Sequence, residues 1–256
     1  MRKRPAQDRS AARAMIGTTT TGTTRGRRPR TGTRERVLDI ACALLNENGS
    51  ERVTTRSVAD AAGINEGNLY YHFRTKEALV LALFERFEGD ASALLGGGVP
   101  DATDPSLYQN RLRDWFVLTW RYRFLFRDGM ILRALAPALA PRLRRLSGRL
   151  QDETRLVLAA MQEGGLLRIA PAELDQLLAN LWIVSSYWIS YLVTLRGVRR
   201  ISPRHLGWGF AQVQALYRPF LTPVALAWVA AQGDAARPVF RHQALSALPL
   251  PVARTS

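Results

Sequence analysis

Apolar residues recur at helical spacing along most of the chain. From Arg34 to Asn48, Val37, Leu38, Ala41, Leu44 and Leu45 share one stripe, with Thr33 placed to cap the helix and Gly49 to stop it. Val53 to Phe73 carries two shorter stripes. Thr54 or Thr55 can cap the first, Val58, Ala59 and Ala62 form its apolar side, and Gly63 ends it. Ile64 fills the gap, Asn65 opens the second helix, and Leu69 and Phe73 give that helix its buried side. Glu77 to Leu95 is amphipathic through Leu79, Leu83 and Phe87, and Gly96-Gly97-Gly98 with Pro100 marks a break. Longer, more aromatic helices are predicted over Pro105 to Phe126, Gly129 to Leu135, Pro141 to Glu163, Pro171 to Leu195 and Ser202 to Ala231. Nothing reads as a strand, so the predicted fold class is all-α.

The Val53 to Phe73 stretch has the requirements of a helix-turn-helix. Two short helices that cross steeply need a small residue at the crossing, a tight turn and an apolar plug, here Ala59, Gly63 and Leu69. An ordinary helical hairpin in an all-α core is the competing reading. The second helix turns Glu66, Gly67, Asn68, Tyr71 and His72 outward, short enough at its start to approach a groove floor.

Arg34 to Glu85 resembles the DNA-binding domain of TetR-family transcriptional regulators. The carriers are the lead helix TRERVLDIACALLNENG, the helix-turn-helix and the block NLYYHFRTKEALV (Asn68 to Val80). The resemblance covers about fifty residues without a gap and implies an N-terminal three-helix DNA-binding domain followed by a helical ligand-binding and dimerisation bundle. Two places depart from the family pattern. A serine and a basic residue are common where Asn65 and Glu66 stand, and a threonine where Asn68 stands, so the operator cannot be carried over from a relative.

Within the recognition helix the residue types suggest roles. Asn65 and Asn68 are short amides able to pair with adenine N6 and N7. Glu66 can accept from a cytosine amine or simply favour the helix dipole. Tyr70 and Tyr71 offer hydroxyls to phosphates and ring faces to thymine methyls, and His72 suits a phosphate. Thr55 and Arg56, opening the first helix, are expected on backbone oxygens. Thr75, Lys76 and Glu77 open the following helix, whose free N–H groups and Lys76 ammonium would form a phosphate clamp. His72 has no second histidine nearby, and His205 and His242 stand alone, so no metal site is expected.

Charge extends this picture. The 256 residues carry a formal net charge of +15, which favours polyanionic partners, nucleic acid first and anionic membrane second. Up to Arg34 there are ten basic side chains against the single acid Asp8, which leaves +6 for the remainder. Residues 1–33, with TTTTGTT and the cluster RGRRPR (Arg25 to Arg30), are expected to form a disordered basic arm. That arm adds counterion-release affinity or reaches into an adjoining minor groove; it resembles an AT-hook broken by an extra arginine. Met15 offers an alternative start that keeps the second cluster. The expected division continues with 34–80 as the DNA-binding domain, 81–231 as the helical domain and 232–256 as a flexible tail. Cys42, the only cysteine, excludes an internal disulfide and reads as a small residue on the lead-helix stripe. No secretory signal follows the basic start, so a cytoplasmic protein is expected.

Gln176 to Leu195 is twenty residues without a charge, long enough to span a bilayer, yet it holds several polar residues and lacks flanking topology signals. A helix apolar on nearly all sides also results when one side meets its own core and the other a second subunit. The resemblance implies the latter: a homodimer through the last two long helices, 172–195 and 202–231, with no membrane. It also implies an unidentified small-molecule ligand among the bundle aromatics. Trp115, Trp120, Phe124, Met130, Trp182 and Tyr187 are the candidate lining. No phosphate loop, nucleophile elbow or ligand spacing suggests catalysis, and neither an enzyme nor a cofactor is expected. The resulting expectation is a homodimeric regulator, a repressor in the usual family pattern, that binds a palindromic operator and is released by ligand. The alternative is a non-specific basic DNA-binding or architectural protein.

Overall fold

The computed structural model describes residues 32–98, 101 and 103–232; the predicted basic arm up to residue 31 and the predicted tail from residue 233 lie outside the described residues, while Thr33 and Gln232 belong to helices. Eleven helices are present among them: α1 (Thr33–Asn48), α2 (Thr55–Ala62), α3 (Glu66–His72), α4 (Lys76–Leu95), α5 (Pro105–Arg121), α6 (Arg123–Arg127), α7 (Gly129–Leu135), α8 (Leu139–Glu163), α9 (Pro171–Thr194), α10 (Pro203–Tyr217) and α11 (Pro223–Gln232). The only strand-like pairing among the described residues is an isolated antiparallel bridge between Leu167 and Leu221. The fold is all-α.

Local chemistry sets the helix ends around α2 to α4. Thr54 caps α2 by accepting from the Ser57 N–H at 3.1 Å, and the Ser57 hydroxyl accepts from the Thr54 N–H in return. Gly63 then sits at φ +63°, where any side chain would be strained. Asn65 caps α3 by accepting from the Asn68 N–H, and Thr75 caps α4 by accepting from the Ala78 N–H. The lead helix differs from expectation: Thr33 lies inside α1 and Gly32 takes the cap position without a side-chain hydrogen bond.

One uninterrupted hydrophobic cluster runs from α1 through the helix-turn-helix and along α4 into the bundle. Val37, Ala59, Leu69, Leu83, Phe87, Phe124 and Leu150 all belong to it. The α4 helix is therefore a shared wall between the DNA-binding helices and the bundle. Cys42 is half-buried beside the Arg121 carbonyl, and burial pushes its thiol up to about 11, which keeps it an unreactive packing residue.

Two predicted helices are broken. The Pro105 to Phe126 helix stops at Arg121 because Tyr122 leaves helical geometry, turns its ring into the core and donates its hydroxyl to Asp90. The Ser202 to Ala231 helix ends at Tyr217 and passes through a short 3-10 turn, Arg218–Phe220, around Pro219, which has no N–H to give an α-helix. The freed backbone pairs with the loop after α8: the Arg168 N–H donates to the Phe220 carbonyl at 2.8 Å, and the Thr222 N–H to the Leu166 carbonyl at 3.1 Å. Helix α11 starts from that tie.

Helices α9 and α10 pack closely side by side. Gly209 makes this possible, since a Cβ there would lie 2.7 Å from Cδ2 of the Trp188 ring. By length and composition α9 could also cross a membrane; its inner side, including Leu178, Trp188 and Ile189, is buried in the bundle.

Candidate nucleic-acid interface

The α3 helix presents a polar face to solvent. Asn65, Glu66, Gly67, Asn68, Tyr70 and Tyr71 are exposed, and Tyr71 keeps 84% of its surface. Only Leu69 of this helix is buried, against the α1 and α2 core. A surface tyrosine that open, on a helix one turn from its cap, has no packing explanation. His72 is half-buried, its ring edge-on to Tyr71 with centroids 5.1 Å apart.

Side-chain contacts refine several roles. Asn65 Oδ1 accepts from the Asn68 N–H at 2.7 Å, so its carbonyl is committed to capping and the predicted bidentate pairing with adenine is withdrawn for this residue. The Asn68 amide makes no such cap. Glu66 stands 3.5 Å from the Arg56 guanidinium, and both are exposed, so this pair ties the start of α3 to the start of α2. Thr55 is half-buried beside the Thr54 cap.

Lys76 departs from expectation. Its ammonium donates to the Ser50 carbonyl in the turn between α1 and α2, and it is half-buried. Desolvation lowers its pKa, against the opposing pull of Glu51 and Asp128. The predicted free phosphate clamp is therefore corrected: Lys76 holds the turn, and only the capped N-terminus of α4 remains there. Two exposed arginines outside the predicted set flank the reading helix: Arg52 precedes α2 and Arg74 directly follows α3. Both are legible in the sequence as bases adjoining the helix-turn-helix.

The reading helices are held to the bundle by a buried polar junction. Asp128, between α6 and α7, accepts from the Ser50 N–H at 2.8 Å and the Ser50 hydroxyl at 2.7 Å. Arg127 pairs with Asp128 at 2.7 Å and donates to the Leu45 and Asn46 carbonyls at the end of α1, at 2.6 and 2.8 Å. Asn46 answers by donating to the Arg121 carbonyl at 2.8 Å and accepting from the Phe124 N–H at 3.0 Å. Burial alone would raise the Asp128 pKa, but Arg127 and Ser50 outweigh it and hold the carboxyl below its usual range.

A cavity of about 210 Å³ lies inside the bundle between α5, α8, α9, α10 and α11. Of the predicted lining, Trp115 and Trp182 face it, with rings 6.3 Å apart. The other four do not, which corrects the expectation. Trp120 is packed with Trp188 and Phe210, and Phe124 is wholly buried in the cluster shared with the DNA-binding helices. Met130 and Tyr187 point outward, 79% and 62% exposed. The reason is helical phase. Trp120 and Tyr187 each follow a lining tryptophan by five residues, about 140° round the helix. The residues that do face the cavity repeat at i, i+3, i+4 and i+7: Tyr108, Arg111, Leu112 and Trp115 on α5, and Leu178, Leu181, Trp182 and Ser185 on α9. Spacing alone could have singled these out.

A capped helix-turn-helix with an outward polar face, carried on an α-helical bundle with an internal cavity, defines a DNA-binding regulator. Comparison with known proteins agrees. The family model described as "Bacterial regulatory proteins, tetR family" matches residues 37–83, and that described as "Bacterial transcriptional repressor" matches residues 92–228. The chain belongs to the TetR family. It is 44% identical over 61 residues to the HTH-type transcriptional repressor KstR2 of Rhodococcus jostii, covering 24% of this chain and 30% of that repressor. It is 48% identical over 50 residues to the class D tetracycline repressor protein of Escherichia coli, covering 20% and 23%. The chain thus spans less than a third of the length of these curated relatives. The crystal structure of a TetR-family transcriptional regulator from Marinobacter aquaeolei superposes with TM-score 0.69 at 27% identity, over 81% of this chain and 100% of that one. A TetR-family structure from Haloarcula marismortui shares the fold at TM-score 0.55 and 19% identity, over 74% and 98%. Among the described residues no cluster of His, Cys, Asp or Glu is arranged to hold a metal.

Proposed function

We propose that this chain is a sequence-specific repressor, working as a homodimer whose two α3 helices enter successive major grooves of a near-palindromic operator. The observation that carries the reading is the unpacked face of α3. Tyr70, Tyr71 and Asn68 stand on a helix anchored by Leu69 beneath and the Asn65 cap in front, yet all three stay exposed, with the Tyr71 ring meeting the edge of the adjacent His72. In this reading Asn68 and the tyrosines contact base edges, Glu66 positions Arg56, and Arg56, Arg52, Arg74, Thr55 and His72 reach phosphates. Gly67 lets the helix approach the groove floor.

The pairing surface is the outer side of α9 and α10. Ile183, Tyr187 and Tyr191 are exposed along α9, and Tyr191 stacks on the exposed Trp208 of α10 with rings 7° from parallel. Ala211 and Ala215 leave the same side of α10 flat. An apolar strip of this kind on a soluble chain marks an association face. Ligand in the cavity would favour one spacing of the two α3 helices and operator the other, so each weakens the other's binding.

The test is selection of duplexes from a random pool by the full chain. Expected is one enriched sequence with two inverted half-sites about one helical turn apart. Equal retention of every duplex would instead make this a general DNA-coating protein and end the proposal. Tyr71→Ala and Asn68→Ala should lose selectivity with unchanged thermal stability. Tyr187→Glu should sediment as a monomer and lose the operator with it; a fully dimeric Tyr187→Glu would move the interface elsewhere.

A further inference from the structure

Chemistry of the cavity lining specifies the class of ligand, an inference that rests on the reading of this chain as a ligand-released regulator. Most of the wall is hydrocarbon or indole: Leu158, Met161, Leu178, Leu181, Trp182 and Trp228 all face inward. The lining holds two charged residues, Arg111 and Glu153, of opposite sign. The guanidinium is already engaged, and the two charges act on each other. Arg111 Nη1 donates to the Gly98 carbonyl at 2.6 Å and Nη2 to the Leu94 carbonyl at 3.4 Å, beyond and within the last turn of α4, and Glu153 lies near enough to favour its charge. A ligand carboxylate would have to draw the guanidinium from those carbonyls. A ligand ammonium brought to Glu153 would also enter the field of the Arg111 guanidinium, which repels a second cation there. Either ion would also give up part of its water against a mainly apolar wall, which is unfavourable unless it is paired there.

Uncharged polarity lies beside the charged pair, at Gln109, Gln151 and Thr154, and also on a second wall. Ser185 faces the cavity from α9, its hydroxyl donating to the Trp182 carbonyl at 3.3 Å, and Gln214 and Tyr217 face it from α10, one turn apart. An amide and two hydroxyls can both donate and accept, so they suit a neutral oxygen function. Helix α11 closes the enclosure with Ala225, Trp228 and Val229, at i, i+3 and i+4, from its anchored start at Thr222.

We infer that the cavity takes an uncharged, mainly apolar molecule bearing a hydroxyl or carbonyl group, with Gln214 and Ser185 reading that oxygen and α11 enclosing the hydrocarbon. Matched ten-carbon compounds test this on the full chain. The uncharged dye N-phenyl-1-naphthylamine serves as fluorescent reporter, displaced by decan-1-ol, decanoate or decylammonium at pH 8. Decan-1-ol should displace the dye at concentrations at least tenfold below either ion. Gln214→Leu should weaken decan-1-ol about fivefold more than it changes dye binding, the loss of one neutral hydrogen bond. Val157→Trp, which fills the cavity from α8, should abolish dye binding while keeping the helical circular-dichroism spectrum and a cooperative thermal transition as proof of folding.

Decanoate or decylammonium matching decan-1-ol would overturn the ligand class, and unchanged decan-1-ol binding by Gln214→Leu would overturn the assigned oxygen reader. Wild-type protein that binds neither dye nor decan-1-ol, yet gives an operator footprint, would remove the cavity as a ligand site and leave the DNA reading standing. Loss of the footprint itself would be the separate failure of that reading.

Discussion

Replacing Gly209 by alanine sets two effects of known sign against each other. In the middle of α10 an alanine is intrinsically better than glycine by up to about 1 kcal/mol. Against this, the new methyl would lie 2.7, 2.9 and 3.0 Å from three atoms of the Trp188 ring. That ring cannot swing clear. Trp188 is only 3% exposed and is stacked on Phe116, with centroids 5.9 Å apart. Overpacking of a filled site costs about 1–3 kcal/mol, so the clash should win and the variant should lose about 1–2 kcal/mol. Gly148→Ala in α8 is the control, since nothing lies within 4 Å of its added methyl and only the propensity gain remains. Urea unfolding at one fixed protein concentration reads both, as opposite shifts in midpoint at constant slope. A Gly209→Ala protein as stable as Gly148→Ala would show that α9 and α10 are not tightly packed there, and the reasoning would fail.

Other outcomes follow from the junction and the arm. Asp128→Asn should cost about 1.5–3 kcal/mol, since it removes the charged acceptor shared by Ser50 and Arg127. Because the folded Asp128 pKa lies below that of an unfolded carboxyl, about 3.9, its contribution is complete above that value and disappears as pH falls through the folded one. The stability gap between wild type and Asp128→Asn should therefore narrow as pH falls below the ordinary carboxylate range; a gap that does not narrow at all on acidification would contradict the assignment. Deleting residues 1–30 should flatten the salt dependence of DNA binding, by about 0.9 in log–log slope for each phosphate that the arm neutralises. An unaltered slope would mean that the arm does not touch DNA.

The parts that the sequence makes legible are those where a local rule acts alone. Thr54, Asn65 and Thr75 cap their helices, Gly63 turns the chain, and the apolar stripes of α1 and α4 fall where their spacing puts them. Where tertiary demands compete, the reading slips. No turn residue announces the break at Tyr122; it exists because that ring is needed in the core and its hydroxyl at Asp90. Pro219 does announce the end of α10, but the apolar run across it masks the signal. The Lys76 ammonium reads as a phosphate ligand because nothing local shows that the Ser50 carbonyl, 26 residues earlier, lies within its reach. Aromatic content likewise locates the bundle interior but not the cavity, which depends on the phase of each helix.

The unbroken apolar seam through α4 bears on how such regulators can be re-engineered. Grafting a foreign reading head onto this bundle by cutting the polypeptide near residue 80 would sever Val37, Leu69 and Leu83 from partners with which they form one solid. Moving the splice to the Gly96-Gly97-Gly98 stretch keeps α1 through α4 together, but the wall that α4 shares with Tyr122, Phe124 and Leu150 then has to be matched, so chimeras should work best between chains that agree along that wall.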